Sequence, residues 1–219
     1  MKKTLAIVAF VAAMLVAGKA QAQLSINLGY APETLTETVS NSGNSYYTNM
    51  TGFFAGATYN MDLYKGLGLA VGAQIRWNSD SGSSSSNLIV INSNSKYTTN
   101  QFLIDVPVLL NYGYNFNRDL RLAAFVGPTI NFGIYGQTKV TTNVNSIIGS
   151  GTDVDIYDFY DANSYNFKRF NLSGTAGLAF SFKQFRIFGG YNFGLLNLSN
   201  NANYTAKTAA PFFGLSYTL

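Results

Sequence analysis

The stretch FNLSGTAGLAFSF at 170–182 puts Phe170, Leu172, Ala176, Leu178, Phe180 and Phe182 on one parity. Asn171, Ser173, Thr175 and Ser181 fall on the other. A period of two is the signature of a strand with two unlike faces. The same alternation recurs in Leu24–Tyr30, Gly52–Met61, Leu67–Trp77, Gln101–Gly113, Leu120–Ile134, Phe185–Leu195 and Phe212–Leu219. Eight strands are therefore predicted. Most reach the ~9–11 residues that a tilted strand needs to cross a bilayer, against a usual ~5–6 in soluble sheets.

The connections carry the second constraint. Long polar segments (31–49, 78–99, about 137–167 and 197–207) alternate without exception with short ones at 62–66, 115–119 and 183–184. In an up-and-down barrel every long connection then lies at one end and every short one at the other, as in outer-membrane barrels. A soluble sandwich has no reason for that asymmetry. The predicted fold is an all-β, eight-stranded antiparallel up-and-down transmembrane β-barrel. Phe170, Leu172, Leu178, Phe180 and Phe182 face lipid, and Asn171, Ser173, Thr175 and Ser181 face the lumen. Tyr30, Tyr59, Tyr112, Tyr191 and Tyr217 are expected in the aromatic girdles.

The chain start supports export. Lys2 and Lys3 precede the apolar run Leu5–Gly18, and Ala20-Gln21-Ala22 is a small-x-small cleavage site. Residues 1–22 read as a signal peptide and 23–219 as the barrel domain. Cleavage removes Lys2, Lys3 and Lys19, leaving 11 basic and 10 acidic groups, so the high precursor pI is no argument for nucleic acid. Only 11% of residues are charged, which suits a lipid-facing wall better than a soluble surface. The expected location is the bacterial outer membrane, with both termini periplasmic. The expected surroundings are lipid and lipopolysaccharide. The alternating last segment PFFGLSYTL fits recognition by the barrel assembly machinery, although Leu219 stands where an aromatic residue is usual.

Four segments carry a family resemblance: QFLIDVPVLLNYGYNF, LRLAAFVGPTINFGI, FNLSGTAGLAFSF and FRIFGGYNFGLLNL. A strand with Pro107 before an aliphatic run, Gly127-Pro128 on the next, and the Tyr191–Asn197 segment are similar to the small PorT-like outer-membrane β-barrel family. The resemblance implies a single outer-membrane barrel. It implies no single activity; some members assist protein secretion.

The chain has no cysteine and no histidine. A Ser–His or Asp–His mechanism therefore has no base, and the commonest metal ligands are missing. No enzyme activity and no cofactor are expected. Predicted inward residues include Phe54, Phe125, Phe188 and Phe212 among many glycines, which reads as a filled lumen. Its predicted charges are Arg76, Asp105, Arg121, Lys183 and Arg186. Asp105 has Arg76 on the neighbouring strand. Arg121, Lys183 and Arg186 have no inward acid at their level, leaving water, Asp119 or the C-terminal carboxylate, or an anion-attracting mouth.

Pro107 and Pro128 each remove a ladder donor on adjacent strands. They read either as a tolerated kink or as a weakened seam giving apolar molecules a lateral exit. Asp153, Asp155, Asp158 and Asp161 in DVDIYDFYDAN form a weak loop candidate for a divalent cation, without the EF-hand glycine or distal glutamate. SDSGSSSSN and NVNSIIGSG read as flexible polar loops. Tyr46, Tyr47, Tyr157, Tyr160 and Tyr165 suit recognition of a surface protein or ligand. The expected role is structural or partner- or ligand-presenting. Passive transport through the lumen or a lateral gate, and service as an accessory secretion barrel, with a periplasmic partner, are the alternatives.

Overall fold

The computed structural model describes residues 22–40, 42–87, 91–146 and 149–219. The expected signal peptide lies outside the described residues except for Ala22, where the first strand begins. Ten strands follow: β1 (Ala22–Tyr30), β2 (Glu33–Val39), β3 (Ser45–Tyr64), β4 (Leu67–Asn87), β5 (Ile91–Asn115), β6 (Leu120–Ser146), β7 (Gly149–Asp158), β8 (Phe170–Phe182), β9 (Phe185–Gly194) and β10 (Tyr204–Thr218). Among the described residues there is no helix.

Eight staves close the wall. β1 pairs with β3 on one side and with β10 on the other, and antiparallel pairing continues β3–β4–β5–β6–β8–β9–β10. The two surplus strands have simple explanations. β2 continues the stave of β1: Tyr30 faces Phe53, Glu33 faces Met50, and the register with β3 does not shift between them. The interruption is at Ala31-Pro32, where proline has no N–H to give the ladder. β7 pairs with β6 alone, outside the closed wall.

The segments expected to be flexible loops are instead ribbons that prolong the wall at the long-connection end. β4 and β5 stay paired from Leu67↔Tyr112 out to Asn87↔Asn92, and β5 and β6 out to Ile91↔Ser146. Ser79–Ser83 and Asn94–Lys96 are polar on both faces, so backbone hydrogen bonding rather than side-chain burial organises them. Where SDSGSSSSN and NVNSIIGSG are described, they lie in these strands; Leu88–Val90 and Ile147-Ile148 fall outside the described residues.

The two faces differ as the alternation requires. Leu178 is 60% exposed on the outer wall while its neighbour Ala179 is 2% exposed. Phe170, Phe180 and Phe182 also lie outside, while Asn171, Ser173 and Thr175 are buried in the lumen. On the outer wall Tyr30, Phe53, Trp77, Phe102 and Tyr135 form a continuous aromatic row across five staves, with ring centroids 5.4, 6.3, 6.5 and 6.2 Å apart. Phe185 and Tyr217, 5.2 Å apart, lie at the short-turn end. Tyr59 and Tyr191 fall between the ends of their staves, opposite Val71 and Ala176. The row is therefore built by Phe and Trp as much as by Tyr. A bulge lies in it: Phe102 faces Tyr135 and Leu103 faces Gly133, which leaves Ile134 over and reverses parity along the rest of β6.

Candidate functional site

The interior is read from the short-turn end upward. Arg121 on β6 reaches Asp62, with Nη1 3.2 Å from Oδ1. Its Nη2 donates to the carbonyl of Gly66 at 3.2 Å and to Asn111 Oδ1 at 3.5 Å. The close passage of this side chain over β5 requires a residue without a Cβ at Gly113. The sequence offered water, Asp119 or the C-terminal carboxylate as its partner. Asp62 answers it instead, from the last residues of β3, where it faces Gly68 of β4. Arg186 projects inward beside the ring of Phe125, 6.0 Å from its centroid. Lys183, expected inside, occupies the β8–β9 turn with φ 53°. Its Nζ lies 5.6 Å from the ring of the outward Phe182, so it borders the mouth rather than the lumen proper. Arg118, Arg121, Lys183 and Arg186 share the lining of an end chamber of about 230 Å³.

Above this level four rings cross the barrel. Phe54–Phe188, Phe188–Phe212 and Phe212–Phe125 have centroids 6.1, 6.3 and 6.2 Å apart. Glycines face them: Gly29 lies against Phe54 and Gly177 against Phe125. The cavity left in the middle is about 80 Å³.

Arg76 on β4 lies above that cavity, 4% exposed, between two carboxylates. Nη1 is 2.5 Å from Glu33 Oε2 and Nε is 2.9 Å from Asp105 Oδ2. Asn131 donates to Asp105 Oδ1 at 2.7 Å, and Ser173 donates to Asn131 Oδ1 at 2.6 Å. A buried guanidinium needs such partners, since an unpaired charge inside a protein is strongly destabilising. The sequence analysis placed Glu33 in a loop. The signal that locates it is parity: Ser25, Asn27, Ala31, Glu33 and Leu35 are all buried, so the inward face of β1 runs through Pro32 into β2.

The segment 159–169 then folds across the mouth. Phe159 donates its N–H to Gly136 at 2.9 Å, and Gly133 donates to the carbonyl of Arg169 at 2.7 Å. Gly133 and Gly136 leave room for the rings of Tyr160 and Phe159, which a Cβ at either position would strike. Arg169 covers the Tyr160 ring at 4.3 Å and donates to the carbonyls of Gly133 and Ile134. Burial raises the Tyr160 phenol above its ordinary range. Phe159 and Phe167 cluster with Leu35, Met50 and Ala206. Outside this cap lies a chamber of about 540 Å³, lined by Tyr47, Tyr97, Tyr165, Glu37 and Asp80 among others. Of the tyrosines singled out in the sequence, Tyr47 and Tyr165 line this chamber and Tyr160 belongs to the cap. Tyr46 and Tyr157 are exposed and line no part of it.

The remaining candidates separate. Asp153, Asp155 and Asp158 lie on β7 and Asp161 in the following turn. Asp153, Asp158 and Asp161 each accept a nearby backbone N–H, from Val154, Tyr160 and Asn163. Among the described residues no three acids come together in a metal-binding group. Pro107 faces the central cavity and Pro128 the outer wall. The β5–β6 ladder runs to Leu110↔Val126 and resumes at Pro107↔Thr129 in the same register. The β4–β5 ladder skips similarly between Val71↔Val108 and Gln74↔Asp105.

Several solved structures resemble this one. Ail of Yersinia pestis, in complex with the heparin analogue sucrose octasulfate, has a TM-score of 0.39 at 16% identity, covering 90% of this chain and 99% of Ail. Neisserial surface protein A has a TM-score of 0.40 at 9% identity, with the same coverages. The outer membrane protease OmpT of Escherichia coli has a TM-score of 0.38 at 9% identity, covering 90% of this chain and 96% of OmpT. At this level of likeness they bear on neither ligand nor activity. No curated protein matches the sequence. The family model described as outer membrane protein beta-barrel domain matches residues 18–200. With that match and a closed wall of eight staves, greasy outside and polar inside, the chain belongs to the outer membrane protein beta-barrel domain family and is a transmembrane barrel of the bacterial outer membrane.

Proposed function

We propose that this barrel is a non-enzymatic surface receptor or display protein. Its lumen is closed to diffusion, and a ligand or partner is received at the ribboned end. That end faces the outside of the cell, and both chain termini face the periplasm. One contrast supports the reading: a chamber of about 540 Å³ opens above the cap, whereas only about 80 Å³ remains below Arg76 and its carboxylates. The first is within the ~300–1,000 Å³ range of ligand sites; the second admits only a few waters. The lack of histidine and cysteine, with Glu33 and Asp105 engaged by Arg76, supports the absence of catalysis. On this reading the surroundings are lipid and lipopolysaccharide, the biogenesis partner is the barrel assembly machinery, and a surface or periplasmic protein is the further partner.

Planar-bilayer recording is the direct test. The wild-type barrel is expected to stay at baseline. A variant carrying Arg76→Ala, Glu33→Ala and Asp105→Ala together with Phe54→Ala, Phe125→Ala, Phe188→Ala and Phe212→Ala, with residues 159–168 replaced by a short glycine linker, should conduct. Stepwise channels from the wild type would overturn the closed lumen. Turnover of lipid A, phospholipid or peptide by the purified protein would overturn the non-enzymatic assignment.

A second reading has its own observation. Pro107 lines the central cavity and lies beside gaps in two ladders, which favours lateral passage of small apolar molecules from lumen to lipid. The third, an accessory barrel of a secretion system, rests on the PorT-like resemblance. Recovery of a stoichiometric periplasmic partner after cross-linking in cells would support it.

A further inference from the structure

Each arginine projecting into this barrel meets a different fate. Arg76 has Glu33 and Asp105, and Arg121 has Asp62. All ten carboxylic side chains of the sequence fall within the described residues. Among those residues none forms an ion pair with Arg186. Of the charged groups that line the end chamber with it, Arg118, Arg121 and Lys183 carry its own sign, while Asp62 is engaged by Arg121 and Asp119 is the other acid. Arg121 also keeps a buried donor, Nε, without an acceptor. Arg186 is part-exposed to this chamber, and a guanidinium beside a phenyl ring with like charges around it attracts an anion as its counter-charge.

We infer that the end chamber at the short-turn end is a binding site for a phosphate-type oxyanion. It is clasped by Arg186, with Arg121 as second donor and Lys183 and Arg118 supplying long-range attraction. The planar fork of arginine matches two oxygens of a phosphate at once, which an ammonium group does not. At about 230 Å³ the chamber has room for a phosphate with part of its hydration. The central cavity beyond Arg186, at about 80 Å³, does not. Entry is from the short-turn side, so the site needs no opening of the Arg76 level. It is independent of what the ribboned end receives.

The test uses residues 23–219 refolded in maltoside micelles, which carry no phosphate. The arginine side-chain Nε–H resonances are followed by NMR during titration with sodium phosphate, with sodium chloride at matched ionic strength as control. Loss of one resonance in Arg186→Lys assigns it. A saturable shift of that resonance with phosphate and none with chloride is expected; Arg186→Lys should weaken the response of Arg121, and Arg186→Gln should abolish it. Equal responses to both salts, or an unchanged midpoint in Arg186→Gln, would overturn the site. If Arg186→Gln does not fold, the wild-type salt comparison and Arg186→Lys decide alone. A second arm in phosphatidylglycerol nanodiscs identifies the source. A resonance already shifted before phosphate is added assigns the site to a lipid headgroup; one that still titrates assigns it to the free anion.

Discussion

At the scale of the residue, Arg76 bears the heaviest electrostatic load. Replacing it by Met strands Glu33 and Asp105 inside the wall. Loss of one member of a buried ionic group costs about 3–5 kcal/mol, to be read as a lowered urea midpoint in micelles. Arg76→Met combined with Glu33→Gln and Asp105→Asn should recover most of that loss, because no unpaired charge is left behind. Gly133→Val should expel the Tyr160 ring and release the cap. The Tyr160 phenol would return toward its ordinary titration range, measurable by ultraviolet absorbance against the wild type. Asp105 and Arg76 are legible in the sequence because each falls on the inward parity of a strongly alternating strand. Glu33 and Asp62 are not. One follows a proline that imitates a strand end; the other keeps the parity of Phe54 and Asn60 at the end of β3, but within 62–66, a segment that reads as a turn.

At the scale of the element, the sequence reveals strands only where their faces contrast. Leu67–Trp77 alternates large apolar with small residues and is readable. Ser79–Asn87 pairs just as regularly with β5 but has Ser, Asp, Gly and Asn on both faces, so it reads as a loop. β7 escapes for another reason: its alternation is only Val154 and Ile156 against Asp153 and Asp155, too brief in an acidic run to mark a strand. The bulge at Ile134 hides the continuation of β6, since a single extra residue reverses which parity points inward. Removing Ser83–Lys96 and joining Gly82 to Tyr97 through Asn-Gly should leave the wall intact, because the wall residues of β4 keep partners in both β3 and β5. Circular dichroism and the urea midpoint should stay close to wild type, while the outer chamber loses only Ser95 from its lining. Pro107→Ala restores a backbone donor at the gap. Amide exchange at Val108 and Gly127 should slow; unchanged exchange would mean that the proline does not cause the gap.

At the scale of the molecule, the fold was legible from two coarse signals, the eight alternations and the lopsided connection lengths. Both follow from the wall itself, which must be apolar outside and closed without edges. The interior was less legible, because which inward groups meet depends on stave stagger and on chords across the lumen that no local pattern encodes. Orientation has a simple test, since the native sequence contains no cysteine. Ser83→Cys on the β4–β5 ribbon and Asn117→Cys in the β5–β6 turn each give a unique thiol. With a membrane-impermeant maleimide on intact cells, Ser83→Cys should label and Asn117→Cys should not; the reverse pattern would invert the proposed orientation.

The contacts around Arg76 have a mechanical side. Glu33, Arg76, Asp105, Asn131 and Ser173 come from β2, β4, β5, β6 and β8, so five staves are tied at one height by bonds running along the inside. A thin cylinder in a bilayer is squeezed unevenly as lipids crowd it, and its easiest deformation is to become oval. An internal brace across five of the eight staves opposes that flattening, because making the section elliptical stretches some of these bonds while compressing others. The adjustment to a changed membrane thickness then falls to the surrounding lipids, and the barrel acts as a stiff rivet through the sheet.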